Sequence, residues 1–169
     1  MNNVIISNAL RFLALLAIQV LVLDHIYIGG YLNPYIYVLF ILLLPFETPG
    51  WLLLLSAFSM GLSVDMFNGT GGVHAAAATW MAFVRPSVLR LISSTREYEP
   101  GLKPGISYLG FQWFFSYSLI LIMLHHFLLF LLEVFSFRDF GDTLLRTVLS
   151  SALSFLLVLV AQYLFYRRN

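Results

Sequence analysis

Long apolar runs separated by short polar breaks dominate the chain. The breaks, rich in glycine, proline and charged residues, leave six apolar segments. These segments cover about residues 4–23, 35–45, 51–67, 73–92, 107–132 and 143–166. Runs such as 52–55 and 155–160 are continuously apolar, unlike the alternating strands of a membrane barrel. Because backbone groups must be satisfied internally in lipid, we predict that the segments are membrane helices.

The composition adds one point to this picture, which is that the protein is surrounded by lipid rather than by water. Hydrophobic residues form 60% of the 169 residues and charged residues only 10%, against about 25% charged in an ordinary soluble domain. A soluble domain of this size could not cover so much apolar surface. We therefore predict an all-α integral membrane protein, a six-helix bundle in a single polytopic domain over residues 1–169.

Several function classes are excluded or disfavoured by what the sequence lacks. It has no cysteine, so disulfides, thiol nucleophiles and cysteine-ligated metals are excluded. The net charge of +1 gives no footprint for nucleic acid. Neither an H-E-x-x-H metal motif nor a G-x-S-x-G nucleophile motif occurs. We expect no catalysis, no cofactor and no metal site.

The first apolar segment begins close to the amino terminus. No small-residue cleavage site follows it, so we predict a retained helix rather than a signal peptide. Asn8, Arg11 and Gln19 fall on one side of this helix, which we expect to face protein. Arg11 is also near enough to the helix start to snorkel to the interface, and an interhelical contact is the alternative.

Basic residues are distributed unevenly among the predicted loops. The links between helices one and two and between three and four contain no Lys or Arg. Most basic residues lie around the fourth loop or at the carboxyl end: Arg85, Arg90, Arg96, Lys103, Arg167 and Arg168. The positive-inside rule therefore predicts that both termini are cytoplasmic.

Asp65 stands out as the one carboxylate within a predicted span. Such a group costs about 2.5–3.5 kcal/mol near the bilayer centre, and a helix carboxyl end is unfavourable for negative charge. The next helix begins a few residues later, with free N–H groups near Gly71, Gly72 and Val73. We predict that Asp65 braces this hairpin, while a direct role in binding a ligand, proton or partner is the alternative.

Histidines are the other candidates for chemistry. His125 and His126 are adjacent on a helix and point about 100° apart, so one metal ion cannot easily use both. We interpret them as interfacial histidines near Glu133. The spacing also permits an Asp65–His74 pair without requiring it.

Small polar residues mark surfaces for close helix packing. Helix six has two small-xxx-small spacings, formed by Thr147, Ser150, Ser151 and Ser154. In helix five, Gln112 and Ser116 are four residues apart, and we expect them to satisfy one another or a neighbouring helix.

Three features together resemble the MreD family of bacterial rod shape-determining membrane proteins. One is the turn at Pro34 that leads into the apolar run 35–45, and another is the overall plan of five or six spans without a soluble domain. The remaining feature, which is the most specific, is a G-x-x-x-D motif followed by a glycine turn and a small-residue helix. Its residues are Gly61, Asp65, Gly69, Gly71, Gly72 and Ala75.

The resemblance implies a fold and a role. MreD-like proteins are similar in fold to the substrate-binding subunits of energy-coupling-factor transporters. They are non-enzymatic scaffolds of the elongation complex in the bacterial cytoplasmic membrane and support peptidoglycan synthesis and cell shape. Their partners are the bitopic protein MreC, a RodA-type glycosyltransferase with its penicillin-binding transpeptidase, and the actin-like MreB. A cytoplasmic loop could contact the filament through Arg96, Glu97, Glu99 and Lys103.

A small-molecule-binding subunit of a transporter is the alternative function. It would need an enclosed pocket with a few placed polar groups near the outer face. Asp65, His74, Gln112 and His125 are the residues that could line one. A channel or antiporter would need a file of ionisable groups across the membrane, and one acidic residue does not supply it.

Overall fold

The described part of the chain is a bundle of helices. A computed structural model describes residues 2–26, 32–92, 104–135 and 140–164. Within these residues there are seven α-helices, and a 3-10 turn at Leu23–His25 follows the first. The helices are α1 Asn2–Leu21, α2 Val38–Leu42, α3 Gly50–Asn68, α4 Val73–Ile92, α5 Ile106–Leu109, α6 Phe111–Val134 and α7 Phe140–Leu164.

In the described residues, four helical stretches are long and apolar enough to cross a membrane. They are Ile5–His25, Gly50–Asn68, Phe111–Val134 and Phe140–Leu164. The remaining long helix, α4, also has 20 residues but includes Arg85 and Arg90. The described part of the chain is all-helical, and the chain is a multi-pass membrane protein, as its apolar runs predict.

The predicted second helix over 35–45 is much shorter in the structure. Only Val38–Leu42 is helical, and residues 33–36 run as non-helical backbone. Pro34 and Pro45 bracket ten residues, which as a helix at 1.5 Å per residue would cover about 15 Å, half the length of a spanning helix. We call residues 33–44 the central segment, since every residue from 34 to 42 is buried.

The central segment runs through the bundle between α1, α4, α6 and α7. Its start is bonded to Gln19 and its end to Arg11, so it lies antiparallel to α1. On α4 it extends from His74, beside the Tyr35 ring, to Arg85, beside Leu44. Eleven helical residues separate these two positions, so the segment traverses roughly 16 Å of the bundle.

Side chains from two helices bind the backbone at the start of the central segment. Gln19 of α1 donates to the carbonyl of Pro34 at 3.2 Å and accepts from the N–H of Ile36 at 2.9 Å. On α7, Ser154 accepts from the Tyr35 N–H at 2.8 Å, and Ser150 accepts from the Asn33 N–H at 3.2 Å. These contacts replace hydrogen bonds that a helix would have made within itself.

Three further side chains bind the carbonyl groups at the end of the segment. Tyr117 of α6 donates to Leu42 at 3.0 Å, and Arg11 of α1 donates to Leu43 at 3.3 Å. Arg85 of α4 donates to the carbonyl of Leu44. Non-helical backbone is tolerated at membrane depth only where protein buries and satisfies it, and these bonds meet that condition.

We expect Gln19→Leu to destabilise the bundle by about 2–4 kcal/mol, because it leaves the Pro34 carbonyl and the Ile36 N–H buried without a partner. The measurement is the apparent unfolding free energy of the purified chain in detergent. Gln112→Leu is the matched control, because the Gln112 side chain is exposed on α6. Equal stability of the two variants would contradict this account of the segment.

Candidate functional site

The hairpin of α3 and α4 brings the motif residues together. Gly61 lies where the two helices touch: a Cβ there would be 2.6 Å from the Ala75 Cα and closer still to the carbonyl oxygen of His74. Only glycine permits this approach of the two backbones. Asp65, one turn further along α3, lies on the same face and meets the same first turn of α4.

Asp65 accepts four hydrogen bonds across the hairpin. Its Oδ2 accepts from the N–H of Ala75 at 2.8 Å, and its Oδ1 accepts from the N–H of His74 at 3.1 Å. The same Oδ1 lies 2.6 Å from the Thr70 hydroxyl and 3.1 Å from Nδ1 of His74. A carboxylate is thus bound to the free N–H groups and positive dipole of a helix start.

These bonds match the predicted brace, and the Asp65–His74 pair that the spacing permitted is present. The donors are the N–H groups of His74 and Ala75 rather than those predicted near Gly71 to Val73. The turn explains the shift: Gly69 ends α3 with φ 66° and Gly72 has φ 93°, so both adopt backbone that favours glycine. Gly71 has no such requirement.

His125 and His126 are both fully buried, so neither side chain is exposed on the surface of the bundle. Nε2 of His125 lies 2.7 Å from the Tyr37 hydroxyl, and Nε2 of His126 lies 2.9 Å from the Ser154 hydroxyl. Both histidines therefore belong to the packing around the central segment. Their two bonded neighbours lie on different chain segments, so sequence spacing gave no signal of either contact.

Two arginines within helices also contact the interior. Arg11 bonds Asn8 of its own helix at 2.9 Å and the Leu43 carbonyl of the central segment, so its guanidinium contacts protein outside α1. Arg85, counted in the sequence among the loop charges, is only 2% exposed and donates to the Tyr117 hydroxyl at 2.7 Å. Its charge is used inside the bundle rather than in a loop.

The small polar residues of α6 and α7 divide between packing and hydrogen bonding. Ser150 and Ser154 bind the central segment as described, while Thr147 donates to the carbonyl of Thr143 on its own helix. Ser116 likewise donates to the backbone carbonyl of Gln112 at 3.1 Å rather than to its side chain.

A cavity of about 270 Å³ opens where the ends of α1, α3 and α6 meet the start of α4. Its polar lining residues are Asp24, Asn33, Asn68, Thr70, His74 and Glu133. Of the four residues predicted to line a pocket, His74 does so, whereas Asp65, Gln112 and His125 are not among the lining residues. Thr70 and His74 belong both to this cavity and to the braced hairpin.

Other predicted residues fall outside the described ranges. The loop residues Arg96, Glu97, Glu99 and Lys103 lie there, as do Arg167 and Arg168. Among the residues described, no group of three or more histidine and acidic side chains could hold a metal ion.

No family model, curated protein or solved structure matches the chain. Three features of the chain itself bear on function: the hairpin of α3 and α4, the central segment and the cavity.

Proposed function

We propose that this protein is a non-enzymatic membrane scaffold of the MreD type, which binds an MreC-like bitopic protein and supports peptidoglycan synthesis during cell elongation. In this proposal the chain crosses the bacterial cytoplasmic membrane six times. The central segment forms the middle of the second crossing, which its flanking residues complete, and both termini are cytoplasmic. The arrangement would be similar to the substrate-binding subunits of energy-coupling-factor transporters.

The observation that carries the proposal is the structure of the motif from Gly61 to Ala75. The residues that make up the family resemblance are those that join α3 to α4: Gly61 allows the contact and Asp65 bonds across it. Gly69 and Gly72 supply the turn between the helices. A motif that fixes a hairpin gives a rigid surface for other proteins, as a scaffold requires.

The use of polar groups inside the bundle supports the same proposal. The backbone of the central segment is bound by four polar side chains, those of Gln19, Tyr117, Ser150 and Ser154. Arg85 binds both that backbone and Tyr117. Groups engaged in this way are not available for catalysis or for a path of ions. The polar groups inside the bundle therefore stabilise its own fold.

The test is purification of the tagged chain from its native bacterial membranes in mild detergent. We expect a bitopic coiled-coil protein and a polytopic glycosyltransferase with its transpeptidase to co-purify. The matched control is the Gly61→Ala variant, which disturbs the hairpin and should lose these partners. Recovery of two ATPases and a coupling subunit instead would refute the scaffold function.

A second experiment addresses the filament contact. In a variant with Arg96, Glu97, Glu99 and Lys103 all changed to alanine, we expect the actin-like filament protein to be lost from the purified complex. The bitopic partner should be retained, because we propose that it contacts the membrane helices and the loops on the outer side of the membrane. It does not contact the cytoplasmic loop in this proposal. Unchanged recovery of the filament protein would contradict this role of the loop.

One observation favours the second candidate function, a small-molecule-binding subunit of a transporter. The cavity at one end of the bundle has the concave form and the placed polar groups that such a subunit needs. Its volume of about 270 Å³ is below the roughly 300–1,000 Å³ of ordinary ligand pockets. The co-purification experiment distinguishes the two functions.

A further inference from the structure

The cavity contains two buried polar atoms that have no hydrogen-bond partner among the described residues. They are Oδ2 of Asp24 and Nε2 of His74. A buried polar atom without a partner is costly, so natural structures seldom contain one without a reason. That two such atoms belong to residues lining one cavity indicates that the cavity receives a ligand.

Asp24 supplies a carboxylate with one oxygen already fixed. Its Oδ1 accepts from Nε2 of Gln19 at 2.7 Å, and Gln19 is itself held by the backbone of the central segment. This bond fixes the carboxylate and leaves Oδ2 with its full capacity to accept hydrogen bonds. An ionised carboxylate is an acceptor only, so the missing partner is a donor.

His74 supplies a second acceptor. The residue is 5% exposed, and its Nδ1 is 3.1 Å from Oδ1 of Asp65, which accepts only. The Thr70 hydroxyl, 3.2 Å from Nδ1, donates its own proton to the same Oδ1. This arrangement favours the neutral tautomer with the proton on Nδ1, in which Nε2 is an acceptor. A carboxylate that orients a histidine in this way also fixes its tautomer.

The charge of the lining points to a cation. Two carboxylates, those of Asp24 and Glu133, line the cavity, and no Lys or Arg is among its lining residues in the described part of the chain. Glu133 is partly compensated by Arg146 at 3.2 Å, but Asp24 has no ion-pair partner among the described residues. The negative charge and the unmatched acceptors together favour a ligand that is both positive and a donor.

We propose that this cavity binds a primary ammonium group. Such a group has three N–H donors on one compact charge, and it can satisfy Oδ2 of Asp24 and Nε2 of His74 together. A trimethylammonium group has the same charge but no N–H donor, so it should bind much more weakly. The inference stands on the cavity alone and does not depend on the scaffold function.

The cavity lies at the ends of the membrane helices, where headgroups of lipids are found. An ammonium group there can come from the headgroup of phosphatidylethanolamine or from a free small amine. The two sources share the recognition chemistry and differ in whether acyl chains are needed. Each source is therefore tested with one ammonium probe and with one trimethylated probe of the same kind.

The test uses the purified full chain in detergent. Native mass spectrometry measures retention of dioleoyl phosphatidylethanolamine against dioleoyl phosphatidylcholine, and titration calorimetry measures binding of ethanolamine against choline. We expect the ammonium member of at least one pair to bind about tenfold more tightly, the effect of one or more charge-assisted hydrogen bonds. Preference for the lipid alone identifies a headgroup site, and preference for ethanolamine identifies a site for a free amine.

Asp24→Asn is the decisive variant, because an asparagine Oδ1 can keep the bond from Gln19 while the charge is lost. We expect it to abolish the tenfold preference. Glu47→Gln is the control, because Glu47 is exposed and does not line the cavity. The proposal is overturned if neither pair shows a preference, or if the preference survives in Asp24→Asn. Either result leaves the co-purification test of the scaffold function unaffected.

Discussion

We expect Gly61→Ala to lower the free energy of unfolding by about 3 kcal/mol, the upper part of the range for overpacking. The added methyl group would lie 2.6 Å from the Ala75 Cα and would clash with the His74 carbonyl. Backbone atoms cannot rotate away as a side chain can, so α3 and α4 must separate. Separation also lengthens the hydrogen bonds of Asp65. The measurement is thermal unfolding of the purified chain in detergent, followed by tryptophan fluorescence.

Gly71→Ala is the matched control for this prediction. It lies ten residues away in the same hairpin, has no atom within 4 Å of an added Cβ and has no positive φ. We expect its stability to stay within about 0.5 kcal/mol of the original chain. If both glycine variants unfold at the same temperature, the close contact at Gly61 is not what stabilises the hairpin.

The second large effect is expected for Asp65→Ala, which should cost about 3 kcal/mol or more. It removes the acceptor from two backbone N–H groups, those of His74 and Ala75, and from the Thr70 hydroxyl. The N–H groups are buried, so water cannot replace the lost carboxylate without opening the hairpin. The apparent unfolding free energy of the variant is the quantity to measure.

Asp65→Asn separates the structural role of this residue from a direct role in binding. The amide oxygen can still accept from one N–H group, so the loss of stability should be roughly half that of Asp65→Ala. If Asp65→Asn remains folded and still co-purifies with the partners, the residue acts as a brace. Folded Asp65→Asn that loses the partners would instead assign Asp65 to their binding.

The sequence was informative where chemistry is local. Asp65 and the start of α4 are separated by only a short glycine turn, so the cost of an isolated carboxylate and the free N–H groups predict their contact. The same reasoning placed one polar side of α1 against protein, which Gln19 and Arg11 confirm. In each case the partners follow from helix periodicity or from neighbouring positions along the chain.

The sequence was misleading where bonding partners lie far apart along the chain. The apolar run 35–45 predicts a short helix. The neighbouring sequence does not indicate that Ser154 and Tyr117 bind its backbone. For the same reason, local sequence does not predict that the side chains of His125 and Arg85 are bonded inside the bundle. A polar residue in a membrane segment is explained only once its distant partner is known.

The cavity is a further feature that the sequence alone does not predict. Asp24 and Glu133 are 109 positions apart in the numbering and belong to different helix ends, yet both line it. Asp24 sits in what the sequence presents as an ordinary turn, and no spacing rule connects it to His74. Such a site is defined by buried acceptors that only the folded chain brings together.

The hydrogen bonds of the central segment also set an order for biosynthesis. Asn33 and Tyr35 are made early, but the serines that bind their N–H groups are 117 and 119 residues further along the chain. A chain is synthesised from its amino terminus, so these N–H groups have no such partner until α7 has been translated. The segment therefore takes its final place only after the last helix joins the bundle, and a chain truncated before Ser150 cannot complete it.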